Sequence, residues 1–254
     1  MESVAGHDRG ALLATLPALP LTPAEFLALA DALGERPPAP VTAELADLTR
    51  RQREQAVDEA VRSLFARGVL TAGDPVRIAL AAARLVQITC RPALRTELRW
   101  GKPGVPDQVV RIASVTDASV AAVPQDGAVR YLPFATEQLL GFLEEVADLT
   151  EGGDGSWGLV SVVYRDGAGR RAGGEVAWVD VGGTLYEVPA ARVPPSPDQA
   201  SPDEDSASDE DGDRTPVLGE PTTRAQLVAA VAELLPGTVA DRESTDDSNT
   251  AVNV

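Results

Sequence analysis

The side chains that most often carry catalysis are nearly absent from this chain. His7 is the only histidine and Cys90 the only cysteine among 254 residues. We predict that His7 lies in a disordered terminus, so a histidine-dependent triad or general base is effectively excluded. Cys90 closes an apolar helical pattern and has no histidine to activate it. A small buried thiol is therefore favoured over a nucleophile.

One acidic segment has enough carboxylates to suggest a calcium loop. The run DEDSASDEDGD contains Gly212, which we align with the invariant glycine of such loops. Ala207 then stands at the first ligand position, and Leu218 stands where a bidentate glutamate is needed. A solvated acidic linker is the favoured interpretation, so we predict no metal site.

Three further aspartates belong to turn patterns. Asp126 and Asp166 each stand directly before a glycine, and Asp180 lies just ahead of Gly182-Gly183. Hairpin turns account for all three. The chain also lacks a Walker-type phosphate loop and a dinucleotide-binding glycine pattern. We predict neither an enzyme nor a cofactor. A hydrolase or transferase using only Asp, Glu and Arg ranks third, because none of these aspartates is spaced as a carboxylate pair.

The formal net charge of -17 is unevenly distributed. Residues 196–213 hold eight carboxylates and no lysine or arginine. A protein that binds the phosphate backbone needs a basic face, so the composition argues against nucleic acid as a partner. An acidic regulatory scaffold that binds a basic partner is the second-ranked function. Deleting residues 196–213 would abolish binding by such a scaffold.

The chain carries no pattern for export or membrane insertion. Pro17, Pro20 and Pro23 interrupt the stretch where a signal peptide would have its apolar region. No apolar run approaches the roughly 18 residues that span a bilayer. A single cysteine forms no disulfide within the chain. We predict a soluble, cytoplasmic protein.

Helical patterns dominate the stretch before residue 91. The run TPAE at 22–25 is a capping box with proline at the first helical position, and Gly34 ends that helix. Asp74-Pro75 is predicted to open a later helix, as an N-cap followed by proline, and Pro92 ends it. The apolar stripes of the second and third helices are Val57, Val61, Leu64 and Phe65, then Ile78, Ala82, Leu85 and Val86.

Strand patterns follow in two groups. Residues 91–133 predict an antiparallel meander with a Gly- and Pro-rich loop at 101–108, followed by a helix from Thr136 to about Leu149. Leu94, Thr96, Leu98 and Trp100 alternate with Arg95, Glu97 and Arg99. Three further strands occupy residues 157–188, and a second capping box at Thr223 opens a last helix.

These patterns predict one folded domain with polar extensions. The domain comprises residues 10–192 together with 217–236. We predict disorder at 1–9, in an acidic insertion at 193–216, and in an acidic tail at 237–254.

Trp100 differs from the other two tryptophans because it enters the predicted loop. A large aromatic side chain at a loop edge serves well as a binding anchor. A place in the core is the competing interpretation and the favoured one. The sequence pattern leaves both open.

Several stretches together resemble the EspG family, the ESX (type VII) secretion-associated proteins of actinobacteria. The first half contributes TPAEFLALADALG, SLFARGVLTAGDPVRIALAAARLV and RPALRTELRW. The second contributes RIASVTDASVAAVPQDGAVRYLPF and YRDGAGRRAGGEVAWVDVGGTLYEV. The resemblance covers about residues 20–192 and the last helix.

The resemblance implies an α+β fold, with a central, mostly antiparallel sheet flanked by two helical bundles in a pseudo-two-fold arrangement. It also implies a cytosolic chaperone, a monomer or weak dimer, that binds PE/PPE-like helical-hairpin substrates and keeps them soluble before export. Family members meet their substrate through the loop between the second and third strands and through the C-terminal helical region. The matching partner-binding residues here are Trp100, Lys102, Pro103, Val105, Pro106, Asp107, Leu227 and Val231.

Overall fold

The structure, a computed structural model, describes residues 18–125, 127–149, 154–188 and 219–236. The α-helices within these ranges are α1 (Pro23–Ala32), α2 (Ala39–Ala43), α3 (Arg50–Ala66), α4 (Leu80–Cys90), α5 (Leu139–Leu149) and α6 (Arg224–Leu234). The strands are β1 (Leu19–Leu21), β2 (Leu70–Thr71), β3 (Arg77–Ile78), β4 (Leu94–Lys102), β5 (Val105–Ser114), β6 (Ala118–Gln125), β7 (Ala128–Ala135), β8 (Trp157–Arg165), β9 (Arg171–Val181), β10 (Thr184–Val188) and β11 (Pro221–Thr222). The predicted α+β class with a mostly antiparallel sheet is confirmed.

Nine of these strands pair in the order β1-β7-β6-β5-β4-β8-β9-β10-β11, while β2 and β3 form a separate ribbon. The contacts divide the chain into two compact units. The N-terminal unit comprises Met1–Glu97 and Val109–Leu149, and the C-terminal unit comprises Leu98–Gln108 and Thr150–Val254. The single domain over 10–192 plus 217–236 stays a prediction, and the segments predicted to be disordered lie outside the described residues.

The helix starts predicted from the capping boxes at Thr22 and Thr223 are confirmed, and a third box at Thr49, which was not predicted, opens α3. The Thr22 hydroxyl accepts a bond from the Glu25 N–H at 3.2 Å, and the Glu25 carboxylate accepts one from the Thr22 N–H at 2.9 Å. The same reciprocal bonds open α3 at Thr49 and α6 at Thr223. Because each box satisfies two N–H groups that the helix leaves unpaired, this sequence pattern specifies the start locally.

Helices cover both faces of β7 in the N-terminal unit. The Phe26 ring of α1 stacks on Tyr131 with centroids 5.3 Å apart, and the Phe142 ring of α5 stacks on Phe134 at 4.8 Å. Tyr131 and Phe134 are three residues apart in β7, so they point to opposite faces. Helices α1, α3 and α4 share one apolar cluster with this strand, which includes Leu64 and Val86.

The predicted helix start at Asp74-Pro75 is wrong. Residues Arg77–Ile78 form β3, which pairs with β2 in the register Leu70↔Ile78. The Ala79 N–H then bonds the Val69 carbonyl at 2.8 Å, and α4 begins at Leu80. Backbone pairing with a neighbouring segment outweighed the local N-cap signal.

The apolar stripe of α3 is narrower than predicted. Leu64 is fully buried, whereas Phe65 is 39% exposed. Gly68 follows with φ of +70°, the left-handed stop that its sequence position indicates. Phe65 follows Leu64 directly, and the turn of the helix between the two residues places the Phe65 side chain on the side that faces solvent.

In the C-terminal unit, α6 packs on β9. Leu227 and Val231 are buried, and a Cβ added at Gly174 would lie 2.8 Å from the Leu234 side chain. The helix therefore docks where the strand carries no side chain. No helix in the described part of the chain is both long and apolar enough to cross a bilayer.

Candidate functional site

The segment predicted as a loop at 101–108 is a β-hairpin. Strand β4 continues to Lys102, Pro103 and Gly104 make the turn, and β5 begins at Val105. Gly104 has φ of +77°, which glycine adopts at little cost, and proline suits the preceding turn position. The glycine and proline content that suggested a loop is thus concentrated in a two-residue turn.

Five of the predicted partner-binding residues lie together at this hairpin tip, which we define as residues 102–107. Lys102, Pro103, Val105, Pro106 and Asp107 are all exposed. Val105 is 43% exposed, one of the few large aliphatic side chains in the described chain that are open to solvent to this extent. The tip therefore presents an apolar side chain and two prolines beside one lysine and one carboxylate.

A buried arginine supports the hairpin tip from inside β4. Arg99 is only 3% exposed, and its Nη2 donates to Asp107 Oδ2 at 2.5 Å. Its guanidinium carbon also lies 5.3 Å from the ring centroid of Trp157 in β8. The charge-assisted bond to Asp107 and the aromatic stack orient the same guanidinium, so the two arms of the hairpin are held to one another and to β8.

Two glycines allow this close packing. A Cβ added at Gly101 would lie 2.7 Å from Asp107 Oδ1 and 2.9 Å from the Trp157 ring. A Cβ at Gly155 would lie 3.0 Å from Pro103 Cγ. The base of the tip therefore accepts no side chain at residue 101, and the tip packs closely against the C-terminal unit to which it belongs.

The remaining predicted site residues lie elsewhere. Trp100 is half-buried within β4 rather than at a loop edge. Leu227 and Val231 are 6% and 5% exposed on the inner side of α6. A partner could contact the Leu227 and Val231 side chains only if α6 moved away from β9. Their role in binding therefore stays a prediction.

Sequence reasoning missed Arg99, Gly101 and Trp157. Strand alternation placed Arg99 correctly opposite Leu98, but it gave no sign that an aromatic ring would cover the guanidinium. That ring comes from a strand more than fifty residues later in the chain. The available signal was the glycine at 101, since glycine within a strand often marks a close approach.

The turn aspartates behave as predicted where they are described. Asp166 Oδ1 accepts from the N–H groups of Ala168 and Arg170 at 2.9 and 2.8 Å, and Asp180 Oδ1 accepts from the Gly183 N–H at 2.8 Å. The backbone N–H of Arg170 is the main cause that lowers the pKa of Asp166. Asp126 lies outside the described residues. The carboxylates of Asp166 and Asp180 therefore accept hydrogen bonds from the backbone of their own turns.

Within the described ranges, no group of three or more His, Cys, Asp or Glu side chains is arranged to hold a metal ion. The calcium-like run around Gly212 falls outside those ranges. A candidate metal centre therefore has no support among the described residues.

Cys90 is expected to react slowly. Burial, with a contribution from the Glu35 carboxylate, raises the pKa of its thiol to about 11. Against the ordinary value of 9.0, the thiolate fraction at pH 8 falls about a hundredfold, and the thiolate is the nucleophile.

Alkylation of Cys90 by iodoacetamide, followed by mass spectrometry, should accelerate steadily up to about pH 11, and urea-unfolded protein should react faster at pH 8. Because the unfolded thiol ionises first, stability should also decline as pH rises above about 9. Equal rates in folded and unfolded protein at pH 8 would contradict this.

Comparisons with known proteins give one informative result. No protein-family model matches the chain, and no curated protein matches its sequence. Its fold matches 14 chains of solved structures. One belongs to the structure of the Mycobacterium tuberculosis type VII secretion system chaperone EspG5 in complex with the PE25–PPE41 dimer, with a TM-score of 0.56. The match covers 87% of this chain and 98% of that chain at 13% sequence identity. The chain therefore has an EspG-like fold.

Proposed function

We propose that this protein is a non-enzymatic chaperone of a type VII secretion system, which binds a PE/PPE-like helical-hairpin protein in the cytoplasm before export. The observation that carries the proposal is the EspG-like fold over 87% of the chain, since EspG5 itself is a chaperone in complex with a PE–PPE dimer. The proposal includes the finer features of that fold, namely two helical bundles flanking the sheet and a pseudo-two-fold arrangement.

The hairpin tip is the contact surface in this proposal. Val105 is the apolar centre, and Pro103 and Pro106 flank it with rings that lose little conformational entropy on binding. Arg99 and Trp157 hold the tip in place before any partner arrives, which reduces the ordering cost of association. Lys102 and Asp107 stand at the rim, where charges influence orientation and the rate of association more than affinity.

The decisive experiment is co-expression with each PE/PPE-like or other helical-hairpin protein encoded near this one, followed by size-exclusion chromatography. A stable, soluble complex is expected with one of them. No co-elution with any candidate would remove the functional proposal and leave the fold unaffected.

Within that complex, Val105→Asp should raise the dissociation constant about a hundredfold, because burying a new carboxylate costs more than the lost contact of an aliphatic side chain. The matched control is Val76→Asp. Val76 is 50% exposed and is not part of the hairpin tip, so its substitution should leave the affinity unchanged. Isothermal titration calorimetry measures both variants. Equal losses would show that a general effect of charge, and not the hairpin tip, governs binding.

A further inference from the structure

Three exposed arginines lie together at one end of the C-terminal unit. Arg165 and Arg171 are register partners at the end of the β8–β9 hairpin, and Arg170 lies in the loop between the two strands. All three side chains are exposed, and we call them the arginine end. The other basic residues in the described part of this unit belong to β4 and α6, and they are Arg99, Lys102 and Arg224.

Only part of the charge at the arginine end is neutralised by a neighbouring carboxylate. Arg170 Nη2 lies 2.9 Å from Asp166 Oδ2. Arg165 Nη1 donates instead to the uncharged Gly169 carbonyl at 2.8 Å. Within the described part of the chain, neither Arg165 nor Arg171 forms an ion pair with a carboxylate. Like charges that lie directly opposite each other in a sheet repel, so a carboxylate between these two arginines would relieve the repulsion.

The chain leads its acidic segment, residues 196–213, towards the arginine end. Strand β10 runs antiparallel to β9, and its last residue, Val188, pairs closest to the end of β9 that carries Arg171. The chain returns at the same end of β10, where the Gly219 N–H bonds the Glu187 carbonyl at 3.1 Å. Both attachment points of the segment therefore lie on the side of β10 that faces the arginines.

The chain is long enough for the acidic segment to reach the arginine end. Val188 pairs with a β9 residue six positions from Arg171, a separation of roughly 20 Å along the strand. The first carboxylate of the segment, Asp198, follows Val188 by ten residues. The last, Asp213, stands six residues before the chain returns to the sheet. Extended chain of these lengths spans roughly 33 and 20 Å, so carboxylates at both ends of the segment can reach the arginines.

We propose that the acidic segment binds the arginine end of its own chain, with carboxylates placed between Arg165 and Arg171. The segment holds eight carboxylates and no lysine or arginine, so its charge complements that of the arginines. A single exposed ion pair contributes little. Because both ends of the segment are attached to the same sheet, its carboxylates act at an effective concentration of about millimolar, and weak contacts suffice. This contact does not rest on the proposed function, and a basic partner of the segment would have to compete with it.

Zero-length crosslinking in the full-length protein tests the contact directly. Arg171→Lys keeps the charge and introduces a primary amine, while Lys102, the only lysine of the chain, serves as the internal reference. A water-soluble carbodiimide joins an amine to a carboxylate in direct contact, with loss of water, and mass spectrometry identifies the joined residues. We expect at least about ten times more crosslinks to residues 196–213 from position 171 than from Lys102. Salt at about 1 M should remove this difference, because it screens exposed charges beyond about 3 Å.

The matched control for proximity is Arg224→Lys in the same unit. Arg224 is exposed and stands only eleven residues after Asp213, so an amine there is close to the segment without belonging to the arginine end. Equal crosslinking from positions 171 and 224 would overturn the proposal. Crosslinks mainly to residues 237–254, where four carboxylates and one arginine give a net charge of -3, would also overturn it. So would crosslinks that join two copies of the chain.

Competition by a fluorescein-labelled peptide with the sequence of residues 196–213 tests the arginines themselves. Changing the eight carboxylates of the segment to amides in the full-length protein should tighten peptide binding at least about tenfold in fluorescence anisotropy, because the arginine end is then open. Adding Arg165→Glu/Arg171→Glu to that variant should abolish the gain. Arg50→Glu/Arg51→Glu, which makes the same change of charge at two exposed arginines of α3, should preserve it. No gain in the amide variant, or equal losses from the two arginine pairs, would contradict the proposal.

Discussion

Replacing Glu25 by alanine is expected to lower the free energy of unfolding by about 3 kcal/mol, because the substitution removes a buried carboxylate that accepts hydrogen bonds from three donors. The Glu25 side chain is 5% exposed. Its two oxygens accept from the Thr22 N–H at 2.9 Å, the Ser63 hydroxyl at 2.6 Å and Arg67 Nη1 at 3.0 Å. One carboxylate thus joins the start of α1 to the end of α3.

The Arg67 guanidinium extends this network to the neighbouring strand. Its Nη2 donates to the Pro20 carbonyl in β1 at 2.7 Å. Without Glu25, the guanidinium keeps this bond but loses the charge that holds it in place. The loss should therefore exceed that of a helix cap alone, which is worth about 1 kcal/mol.

Urea denaturation followed by circular dichroism measures the effect. The control is Glu54→Ala, which removes an i,i+4 pair with Arg50 whose side chains are 63% and 93% exposed. Such a pair contributes at most about 0.5 kcal/mol. If the two variants lost similar stability, the buried network would be no stronger than a surface ion pair. Glu25→Gln, which keeps an acceptor for Thr22, should fall between them.

Gly158→Ala is expected to destabilise the C-terminal unit by about 1–3 kcal/mol, because a Cβ there overpacks the core. The added carbon would lie 2.1 Å from Cζ2 of Trp178, the cross-strand partner of Gly158. Trp178 is 9% exposed, so its ring has little room to move away. Thermal unfolding monitored by tryptophan fluorescence measures the loss.

The matched control is Gly141→Ala in α5, where a Cβ would meet nothing within 4 Å. Alanine in a helix is favoured over glycine by about 1 kcal/mol, so this variant should be more stable than the wild type. A double-mutant cycle then isolates the contact. In the Trp178→Leu background, Gly158→Ala should cost much less than it does alone. Additive effects would mean that the ring is not the cause.

The sequence predicted most of the local structure correctly. Capping boxes predicted the helix starts at Thr22 and Thr223, and period-two alternation indicated the strands from Leu94 to Tyr131 and from Trp157 to Val188. These signals depend on neighbours within a few residues, so they can be recognised in a linear chain. The EspG-like fold was likewise anticipated from the order of the elements.

Prediction from the sequence failed where the pattern of a segment was compatible with two different secondary structures. Asp74-Pro75 has the pattern of a helix start, yet pairing of β3 with β2 determined the structure there. Residues 101–108 have the composition of a loop, yet strand pairing left only Pro103 and Gly104 to form the turn. Composition does not show which backbone groups find partners, and that depends on strands that lie beside the segment.

At the candidate site, too, some features follow from the sequence alone and others only from the tertiary structure. By itself, the sequence determined that histidine and cysteine chemistry is scarce, that residues 101–108 would connect two strands, and that Val105 stands between Gly104 and Pro106. Only the tertiary structure decided that Arg99 is buried beneath Trp157 and that Gly101 leaves the space for this ring. The physical reason is that burial depends on which distant side chain occupies a given space, whereas capping, turns and alternation depend on bonds and periodicities within the chain itself.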